Sequence, residues 1–272
     1  MIDILKIAST CKLYNFHTHT QFCDGHACME DFVTAAIATH FSHLGFTPHS
    51  PIPFSTSCNM DKSNVQVYLV EIQRLREKYG TQISIYAAME IDYLDHFGPS
   101  SSFFDSIPLD YRIGSVHFIP SFQNPEEYVD IDGHFEAFKL KMHRYFNDDI
   151  ESVVRSFYRQ SMAMIEKGGF DIIGHFDKIG FNASMFKTGI DREPWYDKLV
   201  TDEFHSIMDH HLIIEINTKS WQQYQRFFPD ARYFELLRRY KAPVVFNSDA
   251  HVPAKINAGR IEAMKTFGLA MQ

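Results

Sequence analysis

Nine side chains scattered along the sequence have types and spacings suited to holding divalent cations and activating water: His17, His19, Asp24, His49, Glu90, His117, His175, Asp249 and His251. His17-Thr18-His19 is the strongest local signal. In an extended segment, positions i and i+2 face the same way, so both imidazoles can reach one ion. Asp249-Ala250-His251 repeats that spacing and can offer a carboxylate to one ion and an imidazole to another. Asp24 and His26 flank Gly25 in a tight loop, and either could complete a site near His49, Asp24 being the better hard-oxygen donor. Glu90 ends an apolar run, where a charge is unwelcome unless paired or bound to metal. A carboxylate there can bridge two cations at the ~3.5–4 Å separation of two-metal hydrolysis. His117 and His175 are the natural nitrogen partners for a second ion, and Asp92 is suited to orienting a neighbouring ligand.

These residues need elements that gather them. Seven short apolar runs end in a polar or ionisable side chain, closing at His17-Thr18-His19, His49, Glu90, His117, His175, Asn217 and Asp249-Ala250-His251. A buried strand has no reason of its own to end repeatedly in a metal-binding group. Parallel strands in a barrel bring their C-terminal ends to one face, which makes sequence-distant ligands spatial neighbours. Between the runs, helical patterns cover 30–41, 64–79, 150–167, 195–210, 231–240 and 254–267, the alternation expected of repeated βα units. Gly80 and the pair Gly168-Gly169 stand where two of these helices should stop. The stretch 118–149 is poorly periodic and rich in acids, histidines and aromatics, so it reads as an insertion that forms a lid or a substrate wall. Residues 1–272 read as a single barrel domain.

Composition narrows the function. The 26 Lys and Arg against 34 Asp and Glu give a formal charge of −8, which disfavours a nucleic-acid partner while leaving room for a small anionic substrate beside bound cations. No uncharged run approaches the roughly 18 residues of a membrane helix, and the N-terminus lacks the apolar core of a signal peptide. Cys11, Cys23, Cys28 and Cys58 form no Cys-x-x-Cys pair, so free thiols in a reducing cytoplasm are expected, although Cys23 and Cys28 lie close to the first histidine motif.

In order, the motifs His17-Thr18-His19, Thr47-Pro48-His49, Met89-Glu90-Ile91-Asp92, Ser115-Val116-His117, Gly174-His175-Phe176-Asp177 and Ser248-Asp249-Ala250-His251 resemble those of the polymerase and histidinol phosphatase (PHP) superfamily. Phe22-Cys23-Asp24-Gly25-His26-Ala27, Gly45-Phe46-Thr47-Pro48-His49-Ser50-Pro51, Asp110-Tyr111-Arg112-Ile113-Gly114-Ser115-Val116-His117-Phe118 and Glu215-Ile216-Asn217-Thr218 are similar to its histidinol-phosphatase branch. One departure is Pro48, which stands where that family commonly has an acid before the histidine. The resemblance implies a distorted (β/α)7 barrel with three divalent metal ions. The first would take His17, His19, Glu90 and Asp249, the second Glu90, His117 and His175, and the third Asp24 (or His26), His49 and His251. Such nitrogen and carboxylate ligation suits zinc, iron or manganese.

The implied activity is hydrolysis of a phosphomonoester, histidinol phosphate of histidine biosynthesis above all, by metal-activated hydroxide. Glu90, Asp249 and His251 would be catalytic, with Asp249 or His251 placed beside the leaving alkoxide. Phosphate contacts are expected from Lys178, Lys219 or Arg226, the last favoured for its planar fork, with His26, Arg192 and Arg112 as further candidates. Asn217 reads as a substrate-side position. Phe54, Phe118, Phe122 and Trp221 are candidates for the pocket lining, and Asp130, Asp132 or Glu136 for recognition of a cationic substrate group. Alternatives are a phosphoesterase of the same superfamily acting on nucleotides or diesters, and a non-catalytic metal-binding scaffold.

Overall fold

Each apolar run becomes a strand that is buried on both faces over most of its length, as parallel strands covered on both sides must be. The computed structural model describes residues 2–269. Helix α1 (Ile4–Thr10) leads into β1 (Tyr14–Asn15), followed by α2 (Met29–Ala38), β2 (His43–Phe46), α3 (Val65–Tyr79), β3 (Ser84–Asp92) and β4 (Tyr111–Ser115). The hairpin β5 (Phe118–Pro120) and β6 (Tyr128–Asp130) and helix α4 (Phe135–Tyr145) occupy the insertion. Then come α5 (Ile150–Lys167), β7 (Ile172–Ile173), α6 (Ile179–Phe186), α7 (Pro194–Asp209) and β8 (Ile213–Asn217). The short α8 (Trp221–Tyr224), α9 (Phe234–Arg239), β9 (Val244–Asn247) and α10 (Arg260–Phe267) complete the described chain.

The main sheet has seven strands in the order β1-β2-β3-β4-β7-β8-β9, every neighbouring pair parallel. It is a nearly closed (β/α)7 barrel. Between β1 and β9 the backbone ladder is reduced to a parallel bridge at Thr18 and Ala250, where His19 N donates to Ala250 O at 2.9 Å. Side chains stitch the rest of that seam. Phe16 N donates to Asn247 Oδ1 at 2.9 Å, and Asn15 Nδ2 donates to Ser248 Oγ at 2.7 Å. The barrel order therefore follows the order of the motifs.

Helix α5 shows how the sequence sets an element. Asp149 caps its start by accepting from Ser152 N, and Val153, Val154, Phe157, Met164 and Ile165 form one buried face. Burying each large aliphatic or aromatic side chain contributes about 1.5–3 kcal/mol. Gly168, at φ 65°, ends the helix in a conformation that other residues adopt at a cost. The helix expected over 30–41 stops at Ala38, ahead of His40 at φ 64°, and two others begin later than their patterns. In 231–240 the first turn is 3-10 (Ala231–Tyr233), with Asp230 accepting from Arg232 N. In 254–267 the helix begins only at Arg260. Asn15 and Ser248 take the carbonyl of Ile256, and Thr218 takes that of Ala258, so these oxygens are withdrawn from a helical ladder. Among the described residues, no helix is long and apolar enough to cross a membrane.

The insertion is tied directly to a candidate ligand: Ile131 N donates to His117 O at 2.9 Å, extending the β5–β6 hairpin alongside the end of β4.

Candidate metal centre

Strand ends supply nearly every component. Just beyond β1, His17 and His19 are fully buried, and their Nε2 atoms lie 3.0 Å apart. Glu90, near the end of β3, is 1% exposed and sits at the centre. Its Oε2 is 3.2 Å from His17 Nε2, 3.3 Å from His19 Nε2 and 3.2 Å from His49 Nδ1. Its Oε1 is 2.9 Å from His175 Nε2 and 3.5 Å from His117 Nε2, and it accepts from Ser115 Oγ at 2.7 Å. Gly174 makes that last contact possible, since a Cβ there would come within 2.4 Å of Ser115 Oγ. Asp249, after β9, brings Oδ1 to 3.2 Å from His19 Nε2. Donor atoms within 4.8 Å of one another form overlapping groups: His17, His19 and Asp249; Glu90, His117 and His175; and His19, Asp24, His49 and His251. A further group joins Asp92 to His49 and His117.

Hydrogen bonds around the cluster fix which nitrogens face inward. His17 Nδ1 lies 2.7 Å from Glu215 Oε1 and His117 Nδ1 lies 2.7 Å from Asp92 Oδ1, so each Nδ1 carries the proton donated to its carboxylate. When neutral, both rings then point an Nε2 lone pair at the centre. His49 Nδ1 and Asp24 Oδ1 are buried there without a hydrogen-bond partner. Converging lone pairs and carboxylates are repulsive unless a cation lies among them, so this donor set fits divalent metal. Without one, protons carry the balance. Burial opposes the charged form of His17, but Glu215 and Glu90 outweigh it and hold that ring up at about 10. At His49 burial prevails, pushing the ring down to about 3. Two ligand-bearing residues here have positive φ: His175 at 23° and Asp249 at 48°. Left-handed conformations at such residues cost about 1–3 kcal/mol and persist only where surrounding contacts over-determine them.

A cavity of about 400 Å³ opens beside the cluster, reaching Asp24, His26 and His251 on one side and the insertion on the other. Lys178, from the β7–α6 loop, and Lys219, after β8, are its cations nearest the centre. Lys219 Nζ is 3.2 Å from His251 Nε2 and 3.5 Å from Asp249 Oδ1. Lys178 pairs with Asp132 of the insertion at 2.5 Å. Val116, Ile131, Phe157, Phe181 and Phe228 contribute apolar wall.

Several expectations from sequence need correcting. Arg226 does not face the cavity: its guanidinium is enclosed by Asp191 (3.1 Å), Asp177 (3.7 Å) and Asp230 (4.0 Å), a carboxylate cage that already satisfies its charge. Arg112 is spent on the carbonyls of Pro99, Phe104 and Gly169, and Arg192 lies beside Asp191 and Asp230. Asn217 is fully buried and donates to Glu215 and Asp249, so it supports the cluster and lies outside the cavity lining. His26 is exposed on the cavity rim and belongs to none of the donor groups, whereas Asp24 does. Phe54 and Phe118 pack on each other, Phe122 on Phe146 and Trp221 on Phe227, all outside the cavity lining. Cys23 touches His19 Nδ1 at 3.4 Å and belongs to none of the donor groups, and Cys28 bonds Asp31 at the start of α2.

Two supporting groups were missed. Glu215 accepts from His17 Nδ1, Asn247 Nδ2 (2.9 Å), Asn217 Nδ2 (3.0 Å) and His175 N (3.1 Å). Asn59 donates to Asp92 at 2.7 Å, behind His117. An acid between isoleucines was a visible signal for Glu215; nothing local marks Asn59.

The comparisons agree with this architecture. A histidinol-phosphatase of Bacillus subtilis is 25% identical over 256 residues, covering 86% of this chain and 92% of that protein. One of Lactococcus lactis is 25% identical over 253 residues, covering 88% and 83%. Among solved structures, a Listeria monocytogenes protein has a TM-score of 0.81 at 20% identity, covering 92% of this chain and 99% of its own. A histidinol phosphate phosphatase from Lactococcus lactis, complexed with zinc, L-histidinol and phosphate, has a TM-score of 0.70 at 22% identity, covering 94% of each chain. The PHP domain profile matches residues 15–219, most of the barrel and most of the candidate ligands, and the chain belongs to the PHP domain family.

Proposed function

We propose that this protein is a metal-dependent phosphomonoesterase whose substrate is histidinol phosphate. The observation that carries the reading is the convergence of six imidazoles and the carboxylates of Asp24, Glu90 and Asp249 beside a cavity bearing Lys178 and Lys219. His17, His19, Glu90 and Asp249 would hold one ion, Glu90, His117 and His175 a second, and Asp24, His49 and His251 a third, each zinc, iron or manganese. The bound ions would supply water activation near neutral pH and neutralise charge on the phosphoryl oxygens. Glu90, reached from both sides of the cluster, keeps neighbouring sites close together. Lys178 and Lys219 attract and orient the phosphate. As ligands, Asp249 and His251 give their lone pairs to a cation, so the proton for the leaving alkoxide falls to the Lys219 ammonium that touches both. Relatives named histidinol-phosphatase across nearly the whole chain support this choice of ester.

The test pairs metal analysis with turnover. Glu90→Ala and Asp249→Ala should each lose bound metal and lower kcat on histidinol phosphate by a factor on the order of a thousand or more, with far-ultraviolet circular dichroism retained. Full activity in metal-analysed variants would sink the proposal.

A further inference from the structure

Asp132 is an anomaly in a phosphate-binding cavity. It places a carboxylate against one of the two lysines that line the cavity, 2.5 Å from Lys178 Nζ. A site built for phosphate alone gains nothing from a second negative charge there, because like charges in a partly buried site repel. The backbone that carries this carboxylate is also held in place. Asp132 N donates to Asp130 Oδ1 at 2.8 Å, and Ile131 N donates to His117 O. From the opposite wall, Asn182 Nδ2 donates to the carbonyls of Ile131 and Gly133 at 3.4 and 3.3 Å. The other two acids considered in this stretch do not compete. Asp130 is engaged by Lys141 at 2.7 Å, and Glu136 is exposed and away from the cavity.

We infer that Asp132 is a specificity residue that recognises a substrate ammonium next to the phosphate ester, so that the Lys178–Asp132 pair exchanges partners on binding. The phosphate takes Lys178, the ammonium takes Asp132, and neither buried charge is left alone. Their adjacency requires the amine to lie close to the phosphate, as in a β-aminoalkyl phosphate. The rest of the alcohol extends over Val116, Phe157 and Phe181. The inference rests on the phosphatase reading above and deepens it, since histidinol phosphate is one such zwitterion.

The experiment compares histidinol phosphate with its amine-free analogue, 3-(imidazol-4-yl)propyl phosphate, in the metal-loaded wild type and in Asp132→Asn. The wild type should prefer the aminated ester in kcat/KM by about 10- to 100-fold, the range expected for a charge-assisted contact, and Asp132→Asn should abolish most of that preference. Equilibrium binding of L-histidinol, read without turnover, should weaken by a similar factor in the variant, while binding of the amine-free alcohol changes far less. An equal loss on both esters would overturn the inference, making Asp132 only a support for Lys178. A wild type without preference would overturn it too. Absence of turnover of either ester by the metal-loaded wild type would instead remove the phosphatase reading on which it rests.

Discussion

Glu215 illustrates how a single residue away from the cations can govern them. It fixes the His17 tautomer and receives three further donors from Asn217, Asn247 and the His175 backbone. Glu215→Gln replaces an acceptor oxygen with a donor facing donors, so it should weaken metal binding about 10- to 100-fold while leaving the fold intact. Competition with a chromogenic chelator reads this directly, and unchanged affinity would show that Glu215 is only a buried strand residue. At this scale the sequence was most informative where chemistry is conspicuous. Paired histidines at i and i+2 and acids at the ends of apolar runs can be recognised without coordinates. The cations were not so legible. Arg226 looks like a phosphate clamp until Asp177, Asp191 and Asp230 are seen around it, and two of those carboxylates come from other parts of the chain.

Among the elements, the insertion is the one whose role most depends on its attachments. Because Ile131 N bonds the carbonyl of His117, this part of the insertion should behave as a fixed wall. Its amide should exchange slowly in hydrogen-exchange measurements, with or without substrate; rapid exchange quenched by substrate would identify a moving lid. The helices outside the barrel carry a separate pH-dependent feature. Glu203 on α7 is fully buried against Ser161 on α5, and burial raises its carboxyl well above its ordinary value of 4.5. The folded state therefore binds this proton more tightly than the unfolded chain does. The resulting stabilisation is complete below pH 4.5 and is lost as pH rises through the folded value. Glu203→Gln should accordingly raise the denaturation midpoint at pH 7, with the gain shrinking toward acid; a constant gain or a loss at pH 7 would contradict this assignment. Helix α5 was readable from its periodic apolar positions and Gly168, whereas the late start of α10 was not. That boundary depends on Asn15, Ser248 and Thr218 side chains reaching the Ile256 and Ala258 carbonyls.

For the molecule as a whole, the barrel order was legible because almost every strand signs its C-terminal end with a ligand type, and parallel closure requires those ends to meet. The seam between β1 and β9 was not, since it relies on Asn15 and Asn247 side chains in place of a backbone ladder. Joining the first and last strands through ligand-bearing segments also means that cations should brace the entire barrel. An ion at a hundredfold excess over its dissociation constant stabilises the native state by about 2.7 kcal/mol, so chelation should lower the thermal midpoint and reloading should restore it. A midpoint insensitive to metal would argue against these clusters as structural cross-links. The activity itself is tested most directly by kcat/KM for histidinol phosphate against nucleotides, simple phosphomonoesters and a phosphodiester, measured on protein of defined metal content. The expected result is strict metal dependence with histidinol phosphate preferred by about a hundredfold or more, at least the discrimination that pocket shape alone can provide. Equal turnover by the metal-free protein, or a preference for nucleotides or the diester, would contradict it.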